Sequence, residues 1–224
     1  MKHDIAFLHT APIHVPTFSA LAEEFCPDLR VRHDVDEDLL ADAREHGLDA
    51  ALQERIVAAM HTAADSGAAL VVCTCSTIGG AAENAGQGQG YQSQRIDRAM
   101  ADEAVRLGDK ILVVAALAST LQPTAALLKD SADRAGRQTV FELVQVPQAW
   151  QYFEQGDTAA FLDAIAGVIA EHSAGFDAVV LAQASMAGAA SRCPTVSVPI
   201  LSSPRIGVAA AARVAQGLLD KAAS

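Results

Sequence analysis

Short apolar runs closed by turn residues alternate along this chain with Ala- and Leu-rich stretches of helical spacing, and few folds accommodate that alternation. The runs are "DIAFLH" (4–9), "LRVRHDV" (29–35), "AALVVCTC" (68–75), "KILVVAAL" (110–117), "TVFELVQV" (139–146), "DAVVLAQA" (177–184) and "TVSVPILS" (195–202). Between them lie segments such as "LDAALQERIVAAMHTAA" and "DTAAFLDAIAGVIAEHS". Strands separated by helices imply parallel sheets covered on both faces, so the expected class is α/β.

The pattern is also written twice. "VVCTCSTIGGAA" (71–82) aligns without a gap on "VVLAQASMAGAA" (179–190), which sets Cys75 on Gln183 and Thr77 on Ser185. "IAFLHTAPIHVPT" (5–17) aligns on "LVVAALASTLQPT" (112–124), including a Pro-Thr pair expected to open the next helix in each half. A third pair, "QRIDRAMADEAV" (94–105) and "PILSSPRIGVAA" (199–210), sets Asp97 beside Ser202. Two pseudo-symmetric lobes follow as the expected architecture: residues 1–98 completed by a C-terminal helix 205–224, and residues 99–204. Ligands in open α/β sheets bind beyond the carboxyl ends of the strands, so an active-site cleft between the lobes is expected, with Cys75 facing Gln183 and Thr77 facing Ser185.

Composition narrows the function. The chain has 224 residues, 51% of them hydrophobic, enough for a sizeable core. Sixteen basic against 27 acidic residues give a net charge of -11, which repels polyphosphates and argues against nucleic acid as a partner. No apolar stretch approaches the roughly 20 residues of a membrane helix. The apolar run between His3 and His9 is shorter than the about 7 to 15 residues of a signal peptide, so no membrane partner and a cytoplasmic location are expected.

Four cysteines, Cys26, Cys73, Cys75 and Cys193, stand at irregular spacing and are expected to be free thiols. Cys73 is expected to point into the packing of its sheet, and Cys26 and Cys193 to be bystanders. A metal bound through Cys-x-Cys lacks the second ligand pair that zinc sites present. Cys75 is different, because it sits where strand gives way to helix, beside the N–H groups of "STIGG" (76–80). A helix start favours negative charge, which would lower the thiol pKa and offer a carboxylate a seat, with Ser76 and Thr77 adding hydroxyl donors. The alternative is a cysteine that merely fills space in the core.

"VVCTCST" resembles the first cysteine motif of the aspartate/glutamate/hydantoin racemase superfamily, a strand ending in Cys-Asn-Thr, with one change at Ser76. The duplicated halves agree with that family over essentially the whole chain, and "RIDRAMADEAV" is similar to a segment of some members. The resemblance implies cofactor-independent chemistry at an activated carbon acid, two cysteines flanking the substrate, and a homodimer as the expected assembly. It makes Cys75 the acid/base or nucleophile, with Ser76, Thr77 and Ser185 seating the carboxylate of a small substrate. The second cysteine is replaced by Gln183, which cannot exchange a proton at a useful pKa and is expected to be a hydrogen-bonding contact. An isomerase acting on an amino acid or related acid is the leading expectation. A single-cysteine decarboxylase of a malonate-like acid and a non-catalytic binding protein are the alternatives.

Other residues near predicted strand ends are candidates for substrate contact. His9 ends the first strand, His14 follows in the loop, and Asp97 either contacts substrate or caps the helix "RAMADEAVRLG". Ser119 and Thr120 occupy the loop matching Pro12 and Ile13, where they either bind a carboxylate or serve ordinary turn chemistry. Arg205 opens the final helix, as a charge partner for substrate or as a solvated side chain. "AENAGQGQGYQSQ" (82–94) reads as a flexible loop, a linker or a flap, because its glycines follow a helix and not a strand. The acidic run "DVDEDLLADARE" (34–45) reads as the solvated face and first turn of a helix.

Overall fold

The computed structural model describes residues 4–223, and the chain divides into two compact units, Met1–Asp97 with Pro204–Ser224 and Arg98–Ser203. The first unit runs β1 (Ile5–His9), a 3₁₀ turn (Pro12–His14), α1 (Val15–Phe25), β2 (Val31–Val35), α2 (Asp38–His46), α3 (Ala50–Ala64), β3 (Leu70–Cys73), α4 (Gly79–Glu83) and β4 (Gln92–Arg95). Its sheet has the order β2-β1-β3-β4, and every pair is parallel. The central strands β1 and β3 are buried along their whole length, whereas edge strand β2 is half-buried and mixed in polarity. That difference is what burial on both faces demands of a central parallel strand.

The second unit runs α5 (Arg98–Leu107), β5 (Lys110–Ala115), α6 (Ala118–Arg134), β6 (Val140–Gln145), α7 (Pro147–Glu154), α8 (Thr158–His172), β7 (Ala178–Leu181), a 3₁₀ stretch (Ala184–Arg192) and β8 (Ile200–Ser202). Its parallel sheet has the order β6-β5-β7-β8, the same topology as the first. Alternate residues of β5 feed opposite cores. Leu112 and Val114 pack with Phe161, Ile165 and Ile169 of α8, while Ile111 and Val113 pack with Met100 of α5 and Leu127 and Leu128 of α6. The last helix, α9 (Ser203–Ala223), returns the chain to the first unit. Helices α3 and α8 start where Asp49 and Asp157 accept from the N–H groups of Leu52 and Ala160, as N-cap aspartates do.

Strand register corrects the internal alignment at two places. Ala6 pairs with Val71 and Leu112 pairs with Val179, so when Val71 is laid on Val179, Ala6 and not Ile5 falls on Leu112. The Pro-Thr pairs are accordingly not equivalent: Pro16 lies in the first turn of α1, but Pro123 lies inside α6. Cys73 pairs with Arg95 and Leu181 with Ser202, so Arg95, not Asp97, corresponds to Ser202. The glycine-rich segment is also less of a loop than its composition predicts. Gln92–Arg95 form β4, and the Gly86 N–H donates to the Ser93 hydroxyl. Polar residues tolerate this strand because it lies on the sheet edge, paired on one side only.

Gly207 in α9 packs against backbone: a Cβ there would lie 2.2 Å from the carbonyl oxygen of Ile96. Gly217, further along the same helix, meets nothing within 4 Å. Gly207→Ala is therefore expected to destabilise the protein by about 1–3 kcal/mol through overpacking. Gly217→Ala is expected to stabilise it by about 0.5–1 kcal/mol through helix propensity. Urea unfolding of the two variants beside the parent measures both signs.

Candidate functional site

The turn between β3 and α4 carries the candidate nucleophile. The ladder with β1 ends at Cys73, where Thr74 N–H donates to the Leu8 carbonyl at 2.9 Å. Cys75 follows in the turn and is half-buried, whereas Cys26, Cys73 and Cys193 are buried, and all four are free thiols. Burial pushes the Cys73 thiol well up, and its sulfur hydrogen-bonds the Cys75 carbonyl at 3.6 Å. Helix α4 spans only Gly79–Glu83, little more than one turn. The helix-dipole contribution expected for Cys75 is correspondingly small.

The fixed charge near this turn comes from a residue that sequence reasoning passed over. Arg95, at the end of β4, donates from Nε to Asp97 Oδ1 at 2.6 Å and from Nη2 to Asp97 Oδ2 at 3.0 Å. The same Nη2 reaches the Ser76 carbonyl at 3.3 Å, and the Ser76 hydroxyl hydrogen-bonds Asp97. The Arg95 and Asp97 side chains are 4% and 1% exposed. Burial raises the Asp97 carboxyl, but the Arg95 charge and the hydrogen bonds from Arg95 and Ser76 outweigh it and hold the group below its ordinary value. A Cβ on Gly79 would touch the guanidinium at 3.0 Å, so glycine lets α4 start directly over the pair. The signal was legible as Arg-x-Asp at a strand end, because residues two apart project to the same side.

Asp97 and His9 were expected to contact substrate, and the structure buries both side chains among partners of the first unit. Asp97 holds Arg95 and Ser76 from within the unit. His9 is 0% exposed and is ringed by protein. Its Nδ1 lies 2.8 Å from Thr74 Oγ1 and its Nε2 lies 2.9 Å from His33 Nδ1, with Phe7 and Phe18 against the ring. Strand pairing explains this, since His9, the last residue of β1, is still paired with Val35 and presents its side chain to one of the two covered faces. Ser76 and Thr77 are buried as well, at 5% and 4% exposed. His14 is half-buried, and burial lowers its pKa. Arg205 pairs with Glu24 on the surface of the first unit, its guanidinium 4.8 Å over the Phe25 ring.

In the second unit the other expected residues gather beyond β5 and β7. Gln183, half-buried, accepts at Oε1 from the N–H groups of Ala116 at 2.6 Å and Leu117 at 3.3 Å. The amide is thereby oriented with its oxygen on the start of α6 and its NH₂ turned away. Ser185 is half-buried and Thr120 is buried. The Ser119 hydroxyl is buried with no hydrogen-bond partner among the described residues. Among the described residues no three His, Cys, Asp or Glu side chains converge as metal ligands, and no helix is long and apolar enough to cross a membrane.

Two predictions follow from the burial of these groups. Asp97→Asn leaves the Arg95 charge uncompensated and is expected to cost about 3–5 kcal/mol, whereas joint replacement by Arg95→Met and Asp97→Leu costs less than the single change. Urea titration of the three chains measures this. For His9, burial first, then His33 and His14, lower the pKa from 6.5 to about 3. The unfolded chain therefore takes up a proton below pH 6.5 that the folded chain refuses until about pH 3. Stability is full above this window and falls with pH inside it, by up to about 1.4 kcal/mol per pH unit. His9→Asn is expected to flatten the slope in unfolding measurements across that range.

No family model and no curated protein matches the sequence. Solved structures do match. The aspartate racemase of Picrophilus torridus superposes with a TM-score of 0.67 at 16% identity, covering 95% of this chain and 94% of that one. A glutamate racemase from Bacillus anthracis gives 0.73 at 15% identity, over 96% and 82% of the two chains. Arylmalonate decarboxylase gives 0.57 at 17% identity, over 94% and 92%. At these identities the likeness is one of fold, and the chain carries the two-sheet α/β fold of the aspartate and glutamate racemases and of arylmalonate decarboxylase.

Proposed function

We propose that the chain is a cofactor-independent isomerase of the aspartate/glutamate racemase superfamily, in which Cys75 moves a proton at an activated carbon of a small carboxylate-bearing substrate. One observation carries the reading. Cys75 is the cysteine that is not buried, and it stands in the turn just past the carboxyl end of a central parallel strand, where open α/β sheets bind ligands. The buried Arg95 and Asp97 pair makes that turn a preorganised element. Peptide N–H groups of residues 76–78 are the groups assigned to hold the substrate's carboxylate. Ser76 supports the turn through Asp97.

The fold neighbours support an isomerase-type reaction, because an aspartate racemase and a glutamate racemase share the fold. A glutamine at position 183 gives the reaction one thiol, so proton transfer is assigned to one face of the substrate unless a further group of the protein serves the other. The test is a panel of D- and L-amino acids and hydantoins incubated in heavy water. Deuterium is expected at the carbon next to the carboxyl or carbonyl group, with Cys75→Ser lowering its incorporation at least about 10²-fold. Incorporation that is the same in Cys75→Ser sinks the proposal, and loss of CO₂ from a malonate-like acid redirects it to a lyase.

A further inference from the structure

The first unit holds a second group of reactive side chains, away from the Cys75 turn. A cavity of about 240 Å³ opens between α1 and the edge strand β2, lined by Ser19, Ala22, Glu23, Leu29, Val31 and His33 among others. Ser19 Oγ lies 3.1 Å from His33 Nε2, and the chain of hydrogen bonds continues inward. His33 Nδ1 is 2.9 Å from His9 Nε2, His9 Nδ1 is 2.8 Å from Thr74 Oγ1, and the Thr74 hydroxyl donates to the Leu8 carbonyl at 3.2 Å.

The inner end of this chain sets its direction. A carbonyl oxygen only accepts, and with the Thr74 hydroxyl proton on the Leu8 carbonyl, Thr74 Oγ1 receives one from His9 Nδ1. The neutral His9 ring then has its lone pair at Nε2, which accepts from His33 Nδ1–H. His33 Nε2 is left with its lone pair toward the Ser19 hydroxyl. Both rings are neutral at neutral pH, since burial lowers their pKa values. Phe7 stacks on His33 at 5.4 Å between ring centres with 16° between the planes, which limits rotation of the base. A hydroxyl on a neutral imidazole, itself oriented through its other nitrogen, is the arrangement of an activated serine nucleophile.

The geometry points to Ser19 as a second nucleophile, one that accepts an acyl group from a small, uncharged, activated ester. Ala22, Leu29 and Val31 offer apolar walls for a short acyl chain, and the Glu23 carboxylate at the same cavity disfavours an acid. In the transfer, Ser19 Oγ bonds the carbonyl carbon and the bond from that carbon to the leaving alkoxide or phenoxide breaks. His33 Nε2 takes the serine proton and passes it to the departing oxygen or to water. Hydrolysis of the acyl-serine regenerates the hydroxyl. This inference is independent of the role assigned to Cys75.

The test uses p-nitrophenyl acetate on the full chain carrying Cys75→Ser and Cys26→Ala, the second because the free thiol of Cys26 lines the same cavity, so that acylation of either thiol does not contribute. Peptide mass spectrometry is expected to find the acetyl group on Ser19 well ahead of the exposed Ser191, with a matching release of nitrophenolate. Ser19→Ala is expected to remove that release, and His33→Gln, which still hydrogen-bonds the hydroxyl, to slow it about 10²-fold at unchanged circular dichroism. Acetylation that leaves Ser19 unmodified, or that proceeds at Ser19 no faster than at Ser191, overturns the inference. Equal rates in a folded His33→Gln chain do the same. If that variant does not fold, the peptide map of the parent decides.

Discussion

A buried guanidinium organises the turn that carries Cys75. Arg95 ends β4, Asp97 follows two residues later, and between them they hold Ser76 by its carbonyl and its hydroxyl. Two charges removed from water are costly unless each is paired and hydrogen-bonded, and here both oxygens of the carboxylate meet the guanidinium. Such a pair adds little net stability over an apolar substitute, but it fixes geometry, since neither member can move without stranding the other. The consequence extends to Gly79, whose missing side chain leaves room for the guanidinium under α4. A turn placed by buried charge does not depend on the short helix after it.

The duplication explains why the two units share topology and also where they part. With Val71 on Val179, Cys75 falls on Gln183 and Arg95 on Ser202. The second unit thus lacks both the thiol and the charge that braces its turn. Gln183 supplies a different brace, its oxygen taking two N–H groups at the start of α6. Those donors lie just before the 17-residue helix α6, Leu117 being its N-cap residue, where an acceptor is favoured by the unpaired N–H groups. The amide therefore does structural work that a cysteine at the same place could not do as well, because sulfur is a weak acceptor.

The class, the two units and most strands were legible because parallel strands buried on both faces leave long apolar runs. β4 was less legible, since an edge strand with "QSQR" carries no such run. The candidate site was legible only in part. Cys75 stood out because chemistry-bearing residues at a strand end have few structural reasons to be there. His9 and Asp97 stood at strand ends too, yet both point into protein, and what distinguishes them is a partner far along the chain. His9 meets His33 and Thr74 through strand pairing, and no local pattern around "FLHTA" announces it. Arg95 was hidden by the opposite error, attention to the acid of "RID" without its base.

The exposure of Cys75 depends on where the β3 ladder stops. Side chains two apart on a strand share a face, so an extended strand would carry Cys75 into the same core as Cys73. That core, built on Ala6, Leu8, Val71 and Cys73, already lies against Cys75 from one side. Pairing ends because the Leu8 carbonyl accepts both the N–H and the hydroxyl of Thr74, so the chain's last ladder bond is reinforced by a side chain that also binds His9. Beyond it the backbone turns, and Arg95 captures the Ser76 carbonyl. One thiol is thus sealed at high pKa as packing, while its neighbour two residues on is lifted to the surface of the turn. The difference between a sealed and a half-buried cysteine in "VVCTCST" is set by these two backbone carbonyls, Leu8 and Ser76.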